Sequence, residues 1–157
     1  MKKHKTNALR MLDTLKIDYE TLAYDEQQAD DGIAVATLTG MPVEQVYKTL
    51  ITEAKSGKHY VFVIPVAETL DLKAAAKAVS EKNVAMIAVK QLLPLTGYVR
   101  GGCSPVGLKK PFPVVIDETV LLHEHICVSA GVRGLQVRLK PADLIRAVGA
   151  STYDLIV

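Results

Sequence analysis

The sequence contains no tryptophan and only two phenylalanines, so its core must be built mainly from valine, leucine, isoleucine and alanine. Two cysteines, Cys103 and Cys127, are too few for a disulfide framework. No apolar run approaches the ~18 residues of a transmembrane helix. The basic opening MKKHKTNALR is not followed by an apolar region of about 7–15 residues, so no secretory signal is expected and the chain reads as cytoplasmic. The net charge of +2 lacks the basic stripe of dedicated nucleic-acid binders. Lys2, Lys3 and Lys5, and Lys109 with Lys110, form two small basic clusters that read as solvated surface. The sequence has no G-x-G-x-x-G, no P-loop, no H-E-x-x-H and no G-x-S-x-G elbow, which removes the commonest nucleotide, zinc-protease and serine-hydrolase readings. What is present is a hydrophobic content of 49% with 23% charged residues over 157 positions, which fits one domain, 1–157, with its own core.

Local signals alternate between helix and strand. Thr6 is placed to cap a helix running to Lys16, with Leu9, Leu12 and Leu15 on one face. Residues 17–24 alternate as a strand. Asp30 or Asp31 can cap a helix over 32–39 that Gly40 ends, and Pro42 suits the first turn of a short helix. Residues 47–54 and 59–66 read as a hairpin around KSGK. A helix over 69–79 opens at Thr69 or Asp71. A strand over 84–89 and a short helix stopped by Pro94 follow it. Strands over 113–120, 125–131 and 135–139 precede a last helix, 141–149, with Pro141 in its first turn and Gly149 as its stop. This uneven order lacks the regular βαβ rhythm of a doubly wound fold and predicts a mixed α/β (α+β) domain with a curved mixed sheet and helices outside it.

Chemistry-bearing residues are few. TGYVRGGCSPVG (96–107) holds Gly97, Gly101, Gly102, Gly107 and Pro105, a density that marks a sharply turned loop. It reads either as a connecting turn or as a main-chain binding loop in which Gly101 and Gly102 admit a ligand to the backbone and Ser104 adds a hydroxyl. SAGVRG (129–134) is a second glycine-bearing turn that directly follows a strand, so the two could converge on one cleft. Lys48, at the start of a largely apolar strand, either extends into water or faces a pocket as an anion- or carbonyl-binding cation. A role as nucleophile or base would require a lowered pKa. His123 and His125 lack a third ligand for zinc, and nothing orients Cys103 as a nucleophile. No metal and no cofactor is expected.

Taken together and in order, VYKTL (46–50), IPVAETLDLK (64–73), TGYVRGGCSPVG (96–107), PVVID (113–117) and SAGVRGLQV (129–137) resemble the YbaK family. These are free-standing aminoacyl-tRNA deacylases related to the editing domain of bacterial prolyl-tRNA synthetase. The resemblance covers roughly residues 5–150. It implies a barrel-like mixed sheet surrounded by helices and removal of cysteine from mischarged Cys-tRNA(Pro), with Cys-tRNA(Cys) also cleaved. It implies catalytic roles for Lys48 and Gly101. A substrate-binding set of Tyr24, Thr49, Gly102, Ser104, Ser129, Gly131 and Arg133 follows from the same motifs. The implied reaction uses the substrate's own thiol, which attacks its carbonyl and leaves a thiolactone, so the enzyme is of hydrolase or lyase type. The implied partners are the tRNA acceptor end and prolyl-tRNA synthetase in a transient complex, with no membrane. The alternatives are a water-using Ala-tRNA(Pro) deacylase and a non-catalytic binding module for tRNA or the synthetase. Where the family often has an acidic residue after R-G-L, this chain has Gln136, so a carboxylate role at that position does not carry over.

Overall fold

The computed structural model describes residues 5–157; Lys2, Lys3 and His4 of the basic opening lie outside the described residues. Helix α1 (Asn7–Thr14) begins where its cap predicts, with Thr6 Oγ1 accepting from the Leu9 amide. Strand β1 (Glu20–Ala23) leads through a 3-10 turn to helix α2 (Gly32–Thr39). Of the two candidate caps Asp31 is the one used, and Gly40 closes the helix at φ 73°. The MPVEQV segment forms a single 3-10 turn, Val43–Gln45.

Strands β2 (Tyr47–Ala54) and β3 (His59–Pro65) form the expected hairpin. Helix α3 (Leu72–Ala78) follows, with Asp71 capping the amides of Lys73 and Ala74. Strand β4 is short (Val84–Met86), and a 3-10 turn then leads into helix α4 (Leu92–Thr96). Pro94 does not stop this helix as the sequence suggests. It is the third helical residue, where an amide would have no intrahelical acceptor and a proline costs little.

The remaining elements are β5 (Val114–Asp117), β6 (Ile126–Val132), β7 (Leu135–Leu139), α5 (Pro141–Val148) and β8 (Ser151–Tyr153), the last of which no sequence signal announced. They assemble into two sheets, an antiparallel one in the order β1-β7-β6 and a mixed one in the order β4-β2-β3-β5-β8.

The sheets face one another across the main core. Tyr47, Ile51, Val61, Val63 and Ile116 from the larger sheet meet Ile126, Val128, Ala130, Val137 and Leu139 from the smaller. Leu9 and Leu12 of α1 and Leu144 of α5 complete that core. On the other side of the larger sheet, α3 covers Phe62, Ile64 and Val115. A third, small cluster gathers Ala36 of α2 with Val46, Val66 and Cys127, flanked by Leu22 and Met41. The sheets are joined by one parallel bridge, Val46 to Cys127, and do not close into a barrel. Among the described residues no helix is long and apolar enough to cross a membrane.

One buried carboxylate ties three segments together. Asp117, with no exposed surface, accepts from the Thr119 amide (3.1 Å) and hydroxyl (2.6 Å) and from the Leu155 amide (2.8 Å). The Thr119 hydroxyl in turn meets Tyr47 Oη at 2.8 Å. Removing the carboxylate strands those donors in the core, and charge-assisted hydrogen bonds of this kind contribute most. Asp117→Ala is expected to lower unfolding stability by about 3 kcal/mol, read from urea denaturation.

Candidate functional site

Strand register decides which side chains meet. The bridge between Val46 and Cys127 is parallel and isolated, and Lys48 and Ser129 each lie two residues beyond it on their own strands. Ser129 is the cross-strand partner of Gln136, and Gln136 is in turn the partner of Leu22. Directly opposed residues share a face of the sheet. Ser129, Gln136 and Leu22 therefore form one row across three strands, on the side away from the main core, and Lys48, two residues along its strand from the bridged Val46, alternates to the face opposite Tyr47. Lys48 is half-buried and, among the described residues, belongs to none of the ion pairs.

The β6–β7 turn lies a few residues beyond this row, at the end of the two strands that it joins. A register shift between Ser129 and Val132 bends β6 just before the turn, as bulges near binding sites do. On one flank the Tyr24 amide donates to Gly134 O at 2.9 Å, which holds Tyr24 two residues beyond Leu22, at the turn end of β1. On the other flank the glycine loop lies against Val132 and Arg133. A Cβ on Gly102 would sit 3.0 Å from the Arg133 amide nitrogen and 3.1 Å from Val132 backbone atoms, so only glycine permits this approach. Arg133 Nε donates to Arg100 O at 2.6 Å and locks turn and loop together. Gly101 is exposed at φ 84°, a conformation that disfavours side chains.

The loop is braced from within. Tyr98 Oη donates to Val106 O at 2.6 Å, Thr96 Oγ1 accepts from the Tyr98 amide, and the Gly102 amide donates to Val99 O. Ser104 is fully buried, and its hydroxyl accepts from the Val106 amide at 3.1 Å. Ser129 Oγ similarly accepts from the Gly131 amide at 3.1 Å. Gly131 packs against Tyr98 and Thr6. The loop is thus a rigid main-chain surface. Gly97 and Gly101 are exposed and Gly102 is buried, while the loop serine is occupied by the loop's own backbone.

Of the residues singled out from sequence, Tyr24, Gly101, Gly102, Ser129, Gly131 and Arg133 lie at or against the β6–β7 hairpin, and Lys48 lies two residues along β2 from the bridged Val46. Thr49 does not join them. Side chains alternate along a strand, and Thr49 pairs with Val63 of the main core, opposite to Lys48. Its hydroxyl is buried there without a hydrogen-bond partner. Ser104 also stands apart, turned into the loop. Gln136 is the residue whose place in the row only the register reveals, and its Oε1 is buried and unpartnered as well. The two surface concavities, one around Tyr60, Val79 and Ala150 and one around Met11, Leu108 and Phe112, lie away from Lys48. Among the described residues no three His, Cys, Asp or Glu side chains cluster as a metal site would.

Neither cysteine is poised as a nucleophile. Burial pushes the Cys103 thiol up to about 12 and the Cys127 thiol up to about 11, so both are neutral at physiological pH. The unfolded chain ionises its thiols near 9.0, whereas the folded chain keeps them protonated to higher pH. Stability contributed by these groups therefore falls as pH rises from about 9 toward 11–12. The urea midpoint is expected to drop across that range, less steeply in the double variant Cys103→Ala, Cys127→Ala. Native protein at pH 8 should react negligibly with an aromatic disulfide reagent. Gly102→Ala should separate loop from hairpin, seen as faster amide exchange at Val132 and Arg133 with β2–β3 protection retained.

Residues 26–147 match the family described as the aminoacyl-tRNA editing domain. EbsC of Enterococcus faecalis, a proposed Cys-tRNA(Pro)/Cys-tRNA(Cys) deacylase, is 40% identical over 144 residues, spanning 90% of this chain and 87% of that protein. The crystal structure of a proposed trans-editing enzyme for prolyl-tRNA synthetase superposes with a TM-score of 0.85 at 24% identity, covering 99% of each chain. Hypothetical protein APE2540 superposes with a TM-score of 0.88 at 22% identity over 97% of this chain and 100% of that one. These two share the same mixed two-sheet architecture.

Proposed function

The chain belongs to the aminoacyl-tRNA editing domain family, and we propose that it is a trans-editing deacylase that removes cysteine from Cys-tRNA(Pro) and from Cys-tRNA(Cys). The observation that carries this reading is a half-buried lysine that belongs to no ion pair among the described residues, together with a preorganised glycine loop held against the β6–β7 turn, in a chain whose own thiols are held neutral. The name given to EbsC, 40% identical, supports the same substrate.

An aminoacyl ester is already an activated carbonyl, so placement and charge stabilisation are the protein's main tasks. The substrate's side-chain thiol loses its proton and its sulfur attacks the ester carbonyl. The C–S bond forms as the C–O bond to the terminal ribose breaks, the ribose oxygen takes a proton, and cysteine leaves as a thiolactone. Lys48 holds the terminal phosphate or favours the thiolate by its charge. A free thiol ionises near ~8.5, so modest positive potential raises the reactive fraction. Gly101 presents backbone groups to the aminoacyl moiety, Gly102 lets the loop close on the β6–β7 turn, and Tyr24 and Arg133 border the substrate. Ser129 and Gly131 shape the bulge beneath, while Thr49 and Ser104 act through the strand and loop they belong to. No cofactor enters this scheme.

The small net charge of +2 supports contact with the acceptor end rather than the tRNA body. Phosphate-backbone affinity is then weak, and a transient complex with prolyl-tRNA synthetase would supply the tRNA. The same single domain, 1–157, would dock there from the cytoplasm.

Single-turnover deacylation of Cys-, Ser- and Ala-tRNA(Pro) with product identification tests the reading. The expected result is rapid loss of cysteine alone, with thiolactone or its trapped adduct. Lys48→Ala should reduce the rate by about 100-fold or more, the scale of losing one electrostatic stabiliser. Comparable loss of alanine would replace this reading with a water-using deacylase, and no turnover of any substrate would leave a binding module.

A further inference from the structure

Gln136 carries a polar group that the fold leaves unsatisfied. The residue is 6% exposed, and its Oε1 has no hydrogen-bond partner. Buried side-chain acceptors are nearly always paired, and leaving one unpaired costs about 1–3 kcal/mol. Its position is specific. Gln136 sits between Ser129 and Leu22 in a row across β6, β7 and β1, and the β6–β7 turn directly precedes its strand. The neighbouring charges on this face are balanced or cationic. Glu20 and Arg138 pair with each other one step along the same strands, at 3.2 Å, and Lys48 supplies a positive charge. Free anionic groups therefore do not dominate this row, and the orphan carbonyl is its available neutral acceptor.

We propose that Gln136 Oε1 accepts a hydrogen bond from the α-amino group of the aminoacyl moiety, making Gln136 a substrate-specificity residue. The proposal rests on the deacylase reading for the identity of the ligand. Oε1 is shielded in the free protein, so binding includes a rotamer change that swings the amide toward the incoming amine. Side-chain changes of this size are common on binding. The acceptor is neutral, so it recognises an amine by its N–H groups and adds no charge to oppose Lys48.

Binding of two non-hydrolysable probes tests this without requiring turnover. One is 3′-deoxy-3′-(L-cysteinylamino)adenosine; the other is its 3-mercaptopropionyl analogue, which keeps the thiol and lacks the amine. Wild type should prefer the first by about tenfold, the value of one good hydrogen bond. Gln136→Met should abolish the preference while its urea midpoint stays equal or rises, because an unpaired acceptor has been removed. Gln136→Glu, which keeps an acceptor, should restore it. In steady-state deacylation Gln136→Met should raise KM with kcat within about threefold. Equal preference in wild type and Gln136→Met, or failure of wild type to bind either probe, would overturn the proposal. Absence of Cys-tRNA(Pro) turnover with the amine preference intact would overturn the deacylase reading alone.

Discussion

One parallel bridge, Val46 to Cys127, is the constraint on which the geometry of this molecule depends. It is the seam between two sheets that otherwise share only a hydrophobic interior. Because strand side chains alternate, fixing one pair fixes the facing of every residue that follows. Lys48 is carried to the face opposite Tyr47 and Ile51, which turn into the core. The same seam is packed by Ala36 of α2 and by Val66 at the end of β3. A one-residue slip at this point would send the lysine into the interior and Tyr47 into solvent.

The polar side chains around the glycine loop serve mostly the backbone. Thr6, Thr96, Ser104 and Ser129 each accept from a nearby amide. This local satisfaction stiffens the loop and the bulge before any ligand arrives. The groups it leaves free in the region include exposed main-chain groups at Gly101, the ammonium of Lys48, the Tyr24 hydroxyl, the Arg133 nitrogens beyond Nε and the Oε1 of Gln136. A site with such a polar inventory suits a substrate that brings its own nucleophile.

Much of the local structure was legible in the sequence because caps and stops act over three or four residues. Thr6, Asp31, Asp71, Gly40 and Gly149 all fall where helix chemistry requires. Pro94 misled, since a proline at the third helical position resembles a stop only when the preceding 3-10 turn is counted as helix. Strand β8 was invisible, being three residues held by a parallel pairing to β5 that no local pattern encodes. At the candidate site, the motifs picked out segments but not the facing of their side chains. Thr49 adjoins Lys48 in sequence, yet a period of two forbids them a common face. Ser104 looked like a free hydroxyl because its acceptor role lies with an amide two residues on. Gln136 appeared only as a missing carboxylate until the register aligned it with Ser129.

The anchorage of Asp117 has a consequence for how the chain acquires its structure during synthesis. Its carboxylate waits for the Leu155 amide, and the Asp71 amide is likewise satisfied by Leu155 O. The isolated bridge from Leu70 to Ile156 and the bond from Val157 N to Thr69 O close the same region. Leu155 itself is fully buried in the cluster beneath α3. A ribosome emits residues in order, so β2, β3, α3 and β5 exist for many elongation steps before the segment that seals them. Until then a charged side chain and an apolar cavity remain open to water, and the nascent chain can hold its hairpin and helices without the cooperative core. The final commitment to the native state is therefore timed by the arrival of residues 151–157, and not by the earlier elements that they seal.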